Sequence, residues 1–245
     1  MTSLSPFVKE RSIAHRGASA HAPENTLAAI REAKKRGAKW VEIDVKLTRD
    51  GHPVVIHDDR VDRTTNGRGL VAGLTLAEIR AMDVGSWFAA SFVGEKVPTF
   101  EELIETVLEL DLGLQVELKP TPGDDVETAE VACSVLEKYW PKDRGRLFLT
   151  SFSVRAIRHA AKLMPDTPRA FAVVVPPRDP RALLAEVDCQ ILHCTSELID
   201  DDALARLKES GIEFAVATIN DRAEASRLLS LGAQTILTDH ADIGL

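Results

Sequence analysis

Eight short apolar runs alternating with amphipathic stretches, over 245 residues with no mid-chain linker, predict an α/β fold closed into a parallel (β/α)₈ barrel. The expected strands are Ser12–His15, Trp40–Val45, Leu114–Leu118, Leu147–Ser151, Ala170–Val174, Gln190–His193, Glu213–Thr218 and Thr235–Thr238. Between them, helices are expected over Asn25–Arg36, Phe100–Leu110, Val126–Tyr139, Val154–Leu163, Pro180–Val187, Asp202–Ser210 and Arg222–Leu231. Leu103, Val107 and Leu110 recur at helical spacing, and Thr99 with Glu102 three residues later has the pattern of a capping box. Gly37, Gly211 and Gly232 punctuate helix ends. A doubly wound open sheet is the alternative at the level of fold; either way residues 1–245 form a single domain.

One segment breaks the rhythm. After the second strand, Thr48-Arg49-Asp50-Gly51-His52 is followed by the apolar run Pro53-Val54-Val55-Ile56 and then His57-Asp58. Asp-Gly between apolar runs signals a hairpin, so Val54–His57 is expected to fold back along strand 2, bringing His57 roughly opposite Asp44. Residues 59–98, rich in Gly, Arg and Thr with a short helix near Leu76–Met82, then form a small insertion over the barrel mouth, the end where such barrels keep their chemistry.

Charge narrows the partners. The formal net charge is −8 and no long basic run occurs, which argues against a general nucleic-acid binder. An anionic small molecule remains compatible, because a metal ion and a few local cations override a modest global charge. Cys133, Cys189 and Cys194 are odd in number and lack ligand spacing, so burial as small hydrophobes is expected. Met1 to Ser12 lacks the apolar stretch of a signal sequence, and no run is long enough to span a bilayer. A cytoplasmic protein without membrane insertion is the expectation.

Residues two apart on a strand share a face, so Glu42 and Asp44 point one way while Val41, Ile43 and Val45 point the other. Glu117 and Lys119 repeat the pattern on the next barrel strand. Buried carboxylates need a cation or a proton. Three of them suit a hard divalent cation, Mg²⁺ or Ca²⁺; a carboxylate–Arg/Lys network inside the barrel explains the same residues equally well. His15 and Arg16 end strand 1 and reach the same mouth, where two histidines flanking carboxylates suggest acid–base chemistry. Arg16 and Lys119 offer positive charge for a phosphate or partners for the carboxylates. Glu24, at the start of helix 1, could face the site or only favour the helix terminus. The remaining histidines, His21, His52, His159, His193 and His240, show no such convergence and are expected to be structural or solvent-facing.

In order along the chain, His15-Arg16-Gly17, Pro23-Glu24-Asn25-Thr26, Glu42-Ile43-Asp44-Val45, Asp50-Gly51, His57-Asp58, Arg63-Thr64-Thr65 and Glu117-Leu118-Lys119 resemble the glycerophosphodiester phosphodiesterase family. The resemblance runs from about Ile13 to Asp239 and is densest before Gly67. It implies a TIM barrel with an insertion after strand 2, and hydrolysis of glycerophosphodiesters to glycerol 3-phosphate and an alcohol. Position by position it makes Glu42, Asp44 and Glu117 the metal ligands and His15 and His57 the acid–base pair. Arg16 and Lys119 become the groups on the phosphate, with Lys119 also in the catalytic set. Glu24 becomes a site carboxylate on metal or glycerol. The glycerol hydroxyl beside the ester is expected to attack phosphorus and give a cyclic glycerol phosphate that water then opens with the acid and base roles exchanged; His15 is expected as first base and His57 as first acid, because a hairpin residue can follow the leaving group. The alternatives are a phospholipase or sphingomyelinase D-like phosphodiesterase on the same barrel and a non-catalytic phosphodiester-binding protein. Two departures stand out: Ala217-Thr218-Ile219-Asn220 replaces the family's Trp-Thr-Val-Asn, and Thr238-Asp239-His240-Ala241 replaces Thr-Asp-x-Pro. The missing tryptophan puts substrate preference in question, not chemistry.

Overall fold

The computed structural model describes residues 6–245. Eight parallel strands close into a barrel: β1 (Ser12–Ala14), β2 (Trp40–Leu47), β4 (Gly113–Leu118), β5 (Leu147–Ser151), β6 (Arg169–Val173), β7 (Ile191–Thr195), β8 (Glu213–Ala217) and β9 (Thr235–Thr238). β1 pairs with both β9 and β2, which closes the ring and excludes the open doubly wound sheet. The short β3 (Pro53–Val55) lies antiparallel to β2. Helices α1 (Leu27–Lys35), α3 (Phe100–Glu109), α4 (Asp125–Tyr139), α5 (Val154–Leu163), α6 (Pro180–Val187), α7 (Asp201–Ser210) and α8 (Arg222–Ser230) follow the strands, and α2 (Leu76–Ala81) belongs to the insertion. The capping box at Thr99 and Glu102 is formed, and Thr75 with Glu78 makes a second one ahead of α2. Gly211 caps α7 in the left-handed region.

Alternation sorts the strand residues into two cores. Val41, Ile43, Val45, Val116 and Leu118 face outward into the apolar layer shared with the helices. The inward set stacks in layers along the barrel axis, as the two-residue period requires. Ile13, Trp40, Phe148, Ala170, Ile191, Ala215 and Leu237 fill the lower layer, closed from below by Phe7 and Val8. Above them, Gln115 bonds Thr150 and lies 3.3 Å from His193, whose burial pushes its pKa down to about 4. His193 is thus a neutral packing histidine. The apolar lower layers leave the ionisable side chains of β1, β2 and β4 concentrated at the mouth.

The hairpin register differs by one residue from the expectation. Lys46 pairs with Val54 and Val45 with Val55, and the Ile56 N–H donates to the Asp44 carbonyl. His57 therefore lies one position beyond the residue opposite Asp44. Between residues 59 and 98, Val61, Val71, Ile79, Val84 and Val97 bury a small apolar cluster together with Val54 and Ile56 of the returning strand. All three cysteines are buried, and burial pushes each thiol up to about 12. Among the described residues, no helix is long and apolar enough to cross a membrane. Met1–Ser5, the first part of the N-terminal stretch considered above, lie outside the described residues.

Candidate active site

The turn after β1 sets the floor of the mouth. Arg16 and Gly17 both adopt left-handed backbone, and a Cβ on Gly17 would meet the Ala29 backbone at 2.8 Å, so only glycine fits there. This turn aims the Arg16 N–H at Glu42 Oε2, 2.9 Å away. The Arg16 guanidinium donates to Glu24 Oε1 at 2.8 Å, while its Nε sits 3.5 Å from Asp44 Oδ2 without a hydrogen bond. Asn25, also left-handed, donates to Asp44 Oδ2 at 2.8 Å and accepts from the Asp44 N–H at 3.2 Å. Left-handed backbone is tolerated by asparagine, and the paired bonds fix it here.

Glu42, Asp44 and Glu117 bring carboxylate oxygens within 4.8 Å of one another. Glu42 and Asp44 are each 1% exposed. Burial, then the Asp44 charge, pushes Glu42 up to about 8 and raises Glu117 as well. Burial opposes ionisation of Asp44 too, but Lys119, Arg16 and His57 outweigh it and hold Asp44 below its ordinary value. Lys119 Nζ lies 3.2 Å from Glu117 and 3.7 Å from Asp44. Even so, Glu42 Oε1 is buried with no partner at all. Burial thus works against ionisation of Glu42 and Glu117 in the absence of further positive charge, and an all-oxygen donor set of this kind fits a hard divalent cation. The network of arginine and lysine exists, but it leaves the cluster short of cationic charge.

Both histidines are held by carboxylates at Nδ1. His15 Nδ1 is 2.8 Å from Asp239 Oδ1, and His57 Nδ1 is 2.7 Å from Asp58 Oδ1. Their environments differ. Asp239 is otherwise held by neutral donors, Ser19 Oγ at 2.8 Å and Asn220 Nδ2 at 2.6 Å. Asp58 is shared with the Arg63 guanidinium at 2.7 and 3.0 Å. Burial works against protonation of His15, yet Asp239 and Glu42 prevail and raise its pKa. Burial lowers His57, and Arg16 and Lys119 reinforce that against the pull of Asp44. The two rings are thus biased in opposite directions.

All eight residues singled out in the sequence converge on this mouth, and the other histidines stay outside the carboxylate cluster. Four further groups were not assigned roles by sequence. Lys46 is 2% exposed and bonds Asp59 at 2.6 Å and the Lys119 carbonyl at 3.1 Å. The same alternation that found Glu42 and Asp44 would have found it. Asp58 and Asp239 orient the histidines, and Arg63 clamps both Glu24 oxygens at 2.7 and 2.8 Å. Arg63 stands in the Arg63-Thr64-Thr65 motif of the resemblance, but nothing local shows that it reaches Glu24. A cleft of about 330 Å³ beside His15, Arg16, Ser19 and Glu24, and another of about 360 Å³ beside Glu117, Lys119, Ser151 and Phe152, open at the mouth. A larger cavity of about 540 Å³ by Arg11 and Arg222 holds none of these groups.

A profile of the glycerophosphoryl diester phosphodiesterase family matches residues 15–243. The chain belongs to this family. Within it, the chain is 33% identical over 236 residues to the glycerophosphodiester phosphodiesterase of Caldanaerobacter subterraneus subsp. tengcongensis, covering 95% of each chain. Among solved structures it resembles an Oleispira antarctica phosphodiesterase in complex with the product sn-glycerol-3-phosphate, with a TM-score of 0.91 and 38% identity over 95% of this chain and 94% of that one. A glycerophosphodiester phosphodiesterase from Agrobacterium tumefaciens matches at a TM-score of 0.76 and 28% identity, covering 95% and 97%. The family's TIM barrel is the fold found here.

Proposed function

We propose that the protein hydrolyses glycerophosphodiesters to glycerol 3-phosphate and an alcohol in a reaction that depends on a divalent cation. The observation that carries this reading is a pair of buried, unsatisfied groups of opposite type in one site: Glu42 Oε1, an acceptor, and Arg16 Nε, a donor. Such groups are costly unless something fills them, and a cation together with a phosphate anion answers both. Glu42, Asp44 and Glu117 would hold the cation, Mg²⁺ or Ca²⁺, which supplies positive charge against the phosphoryl oxygens.

Arg16 and Lys119 bind the phosphate, and the Glu24–Arg63 clamp keeps Arg16 from turning away. Lys119 and Arg16 face charge that grows during displacement, so they stabilise the transition state more than the substrate. The histidines divide the proton transfers. Asp239, with no cation of its own, favours a proton on His15, which then protonates the departing alcohol from Nε2. Burial, reinforced by Arg16 and Lys119, disfavours the charged form of His57, which takes at Nε2 the proton of the glycerol hydroxyl beside the ester as that hydroxyl attacks phosphorus; water then opens the cyclic phosphate with the two roles exchanged. This reverses the order expected from the hairpin's freedom to move: charge, not reach, separates the two rings. Residues 59–98 serve as a small subdomain covering the mouth, tied down through Asp59 on Lys46 and Arg63 on Glu24 and Asp58.

The decisive experiment is product identification. Incubated with glycerophosphocholine and Mg²⁺, the protein should release glycerol 3-phosphate and choline, followed by phosphorus NMR and a coupled dehydrogenase assay. Phosphocholine and glycerol as products, or no turnover with Mg²⁺ or Ca²⁺, would overturn the reading.

Ala217 bears on the choice of alcohol. It continues the inward face of Ala215 to the barrel's upper rim, where the family's usual tryptophan would form a wall. Ala217→Trp should narrow the range of head groups while the better substrates stay within about tenfold, since such a wall contributes on the order of 1–3 kcal/mol to discrimination. Equal loss on every substrate would mean the position is packed too tightly to act as a pocket.

A further inference from the structure

A second group of metal-type side chains lies outside the carboxylate cluster. His21, in the loop between β1 and α1, and His240 and Asp242, just beyond β9, bring one ligand atom each within 4.8 Å of one another. The two imidazole rings meet edge to face, their centroids 5.5 Å apart. His21 Nδ1 is buried and has no hydrogen-bond partner. Asp242 uses Oδ2 for Arg36 Nη1 at 2.6 Å, and Arg36 is in turn paired with Glu32 at 2.8 Å, so its charge is shared between two carboxylates.

We infer that His21, His240 and Asp242 form a separate binding site for a borderline transition-metal cation of the Zn²⁺ class, distinct from the carboxylate centre. Two imidazoles and one carboxylate are a donor set that Zn²⁺ and Co²⁺ accept in tetrahedral geometry and that Mg²⁺ and Ca²⁺ disfavour. The backbone brings the two segments together independently of the side chains, through the Ala20 N–H that donates to the Asp239 carbonyl at 3.1 Å. Ser19 and Asp239, which support His15, lie on these same two segments. A cation at His21, His240 and Asp242 therefore staples the β1–α1 loop to the chain after β9, on the same two segments that carry the His15–Asp239 pair. This inference does not depend on the substrate proposed above.

The test uses Co²⁺ titrated into the full chain held in saturating Mg²⁺. Tetrahedral Co²⁺ absorbs visibly, whereas octahedral Co²⁺ among oxygens hardly does. The wild type should develop a visible band saturating at about one equivalent. His21→Gln and His240→Gln should each abolish it, and Asp242→Asn, at a position 43% exposed and so safe for folding, should weaken cobalt binding about tenfold or more. Glu42→Gln should keep the band. Absence of the band in the wild type, its survival in His21→Gln/His240→Gln, or its loss in Glu42→Gln would each overturn the assignment. Loss in Glu42→Gln would mean that the cobalt occupies the carboxylate centre.

Discussion

Chelation should lower turnover of glycerophosphocholine about a thousandfold or more, because the charge stabilisation a divalent cation gives a phosphoryl group amounts to several kcal/mol and ~1.4 kcal/mol is tenfold. Stability should respond with a definite dependence on pH. In the folded, chelated protein Glu42 is pushed up to about 8 from an ordinary value of 4.5, by burial and then by Asp44. A carboxyl raised in the folded state contributes stability that is fully present below the unfolded value and is lost as pH climbs through the folded one. That contribution therefore fades between about pH 4.5 and 8, and Glu117, raised in the same direction, adds to the loss. A divalent cation does the proton's work once the proton has gone. Mg²⁺ added to the chelated protein should thus raise Tm more at pH 8 than at pH 6, where it must first displace a proton. Calorimetry at both pH values checks this. A gain that is equal at both, or larger at pH 6, would show that the cation does not bind at these carboxylates.

Replacing His15 with alanine should cut kcat on glycerophosphocholine by about 10²–10⁴-fold, the usual contribution of a positioned proton donor or acceptor. The two histidines become distinguishable when the leaving group changes. From a p-nitrophenyl ester of glycerol 3-phosphate, p-nitrophenolate departs without needing a proton, so His15→Ala should lose only about tenfold on it. His57→Ala should lose its full factor on both substrates, because the attacking hydroxyl must still give up its proton. The opposite pattern would restore His15 as the base, and equal losses in both variants on both substrates would rule out a division of labour. The physical basis is the charge around each ring: burial opposes a proton on both, but Asp239 and Glu42 outweigh it at His15, whereas Arg16 and Lys119 reinforce it at His57.

Much of the molecule is legible in one dimension because barrel chemistry follows two short-range rules. Strand alternation alone places Glu42 with Asp44 and Glu117 with Lys119, and the observed strands fall within a few residues of the apolar runs. Helix boundaries at Thr99 and Gly211 follow from capping groups contained in the same few residues. Closure of the sheet was predictable only as the better of two arrangements; the pairing of β1 with β9, some 220 residues apart, is what decides it.

Residue order alone carries the strand-and-helix rhythm, the shared faces of the carboxylates, and the set of residues that resembles a family. Which charges meet is settled in three dimensions. Arg63 reaches Glu24 across 39 positions, Asp239 reaches His15 across 224, and the one-residue difference in the hairpin sets where His57 lies relative to Asp44. Local pattern cannot report these contacts, because Coulomb energy depends on distance in space and on the solvent excluded between groups, and neither follows from separation along the chain. For that reason the sequence could name both histidines, but their opposite bias appears only once burial acts on both rings, with Asp239 and Glu42 beside one and Arg16 and Lys119 near the other.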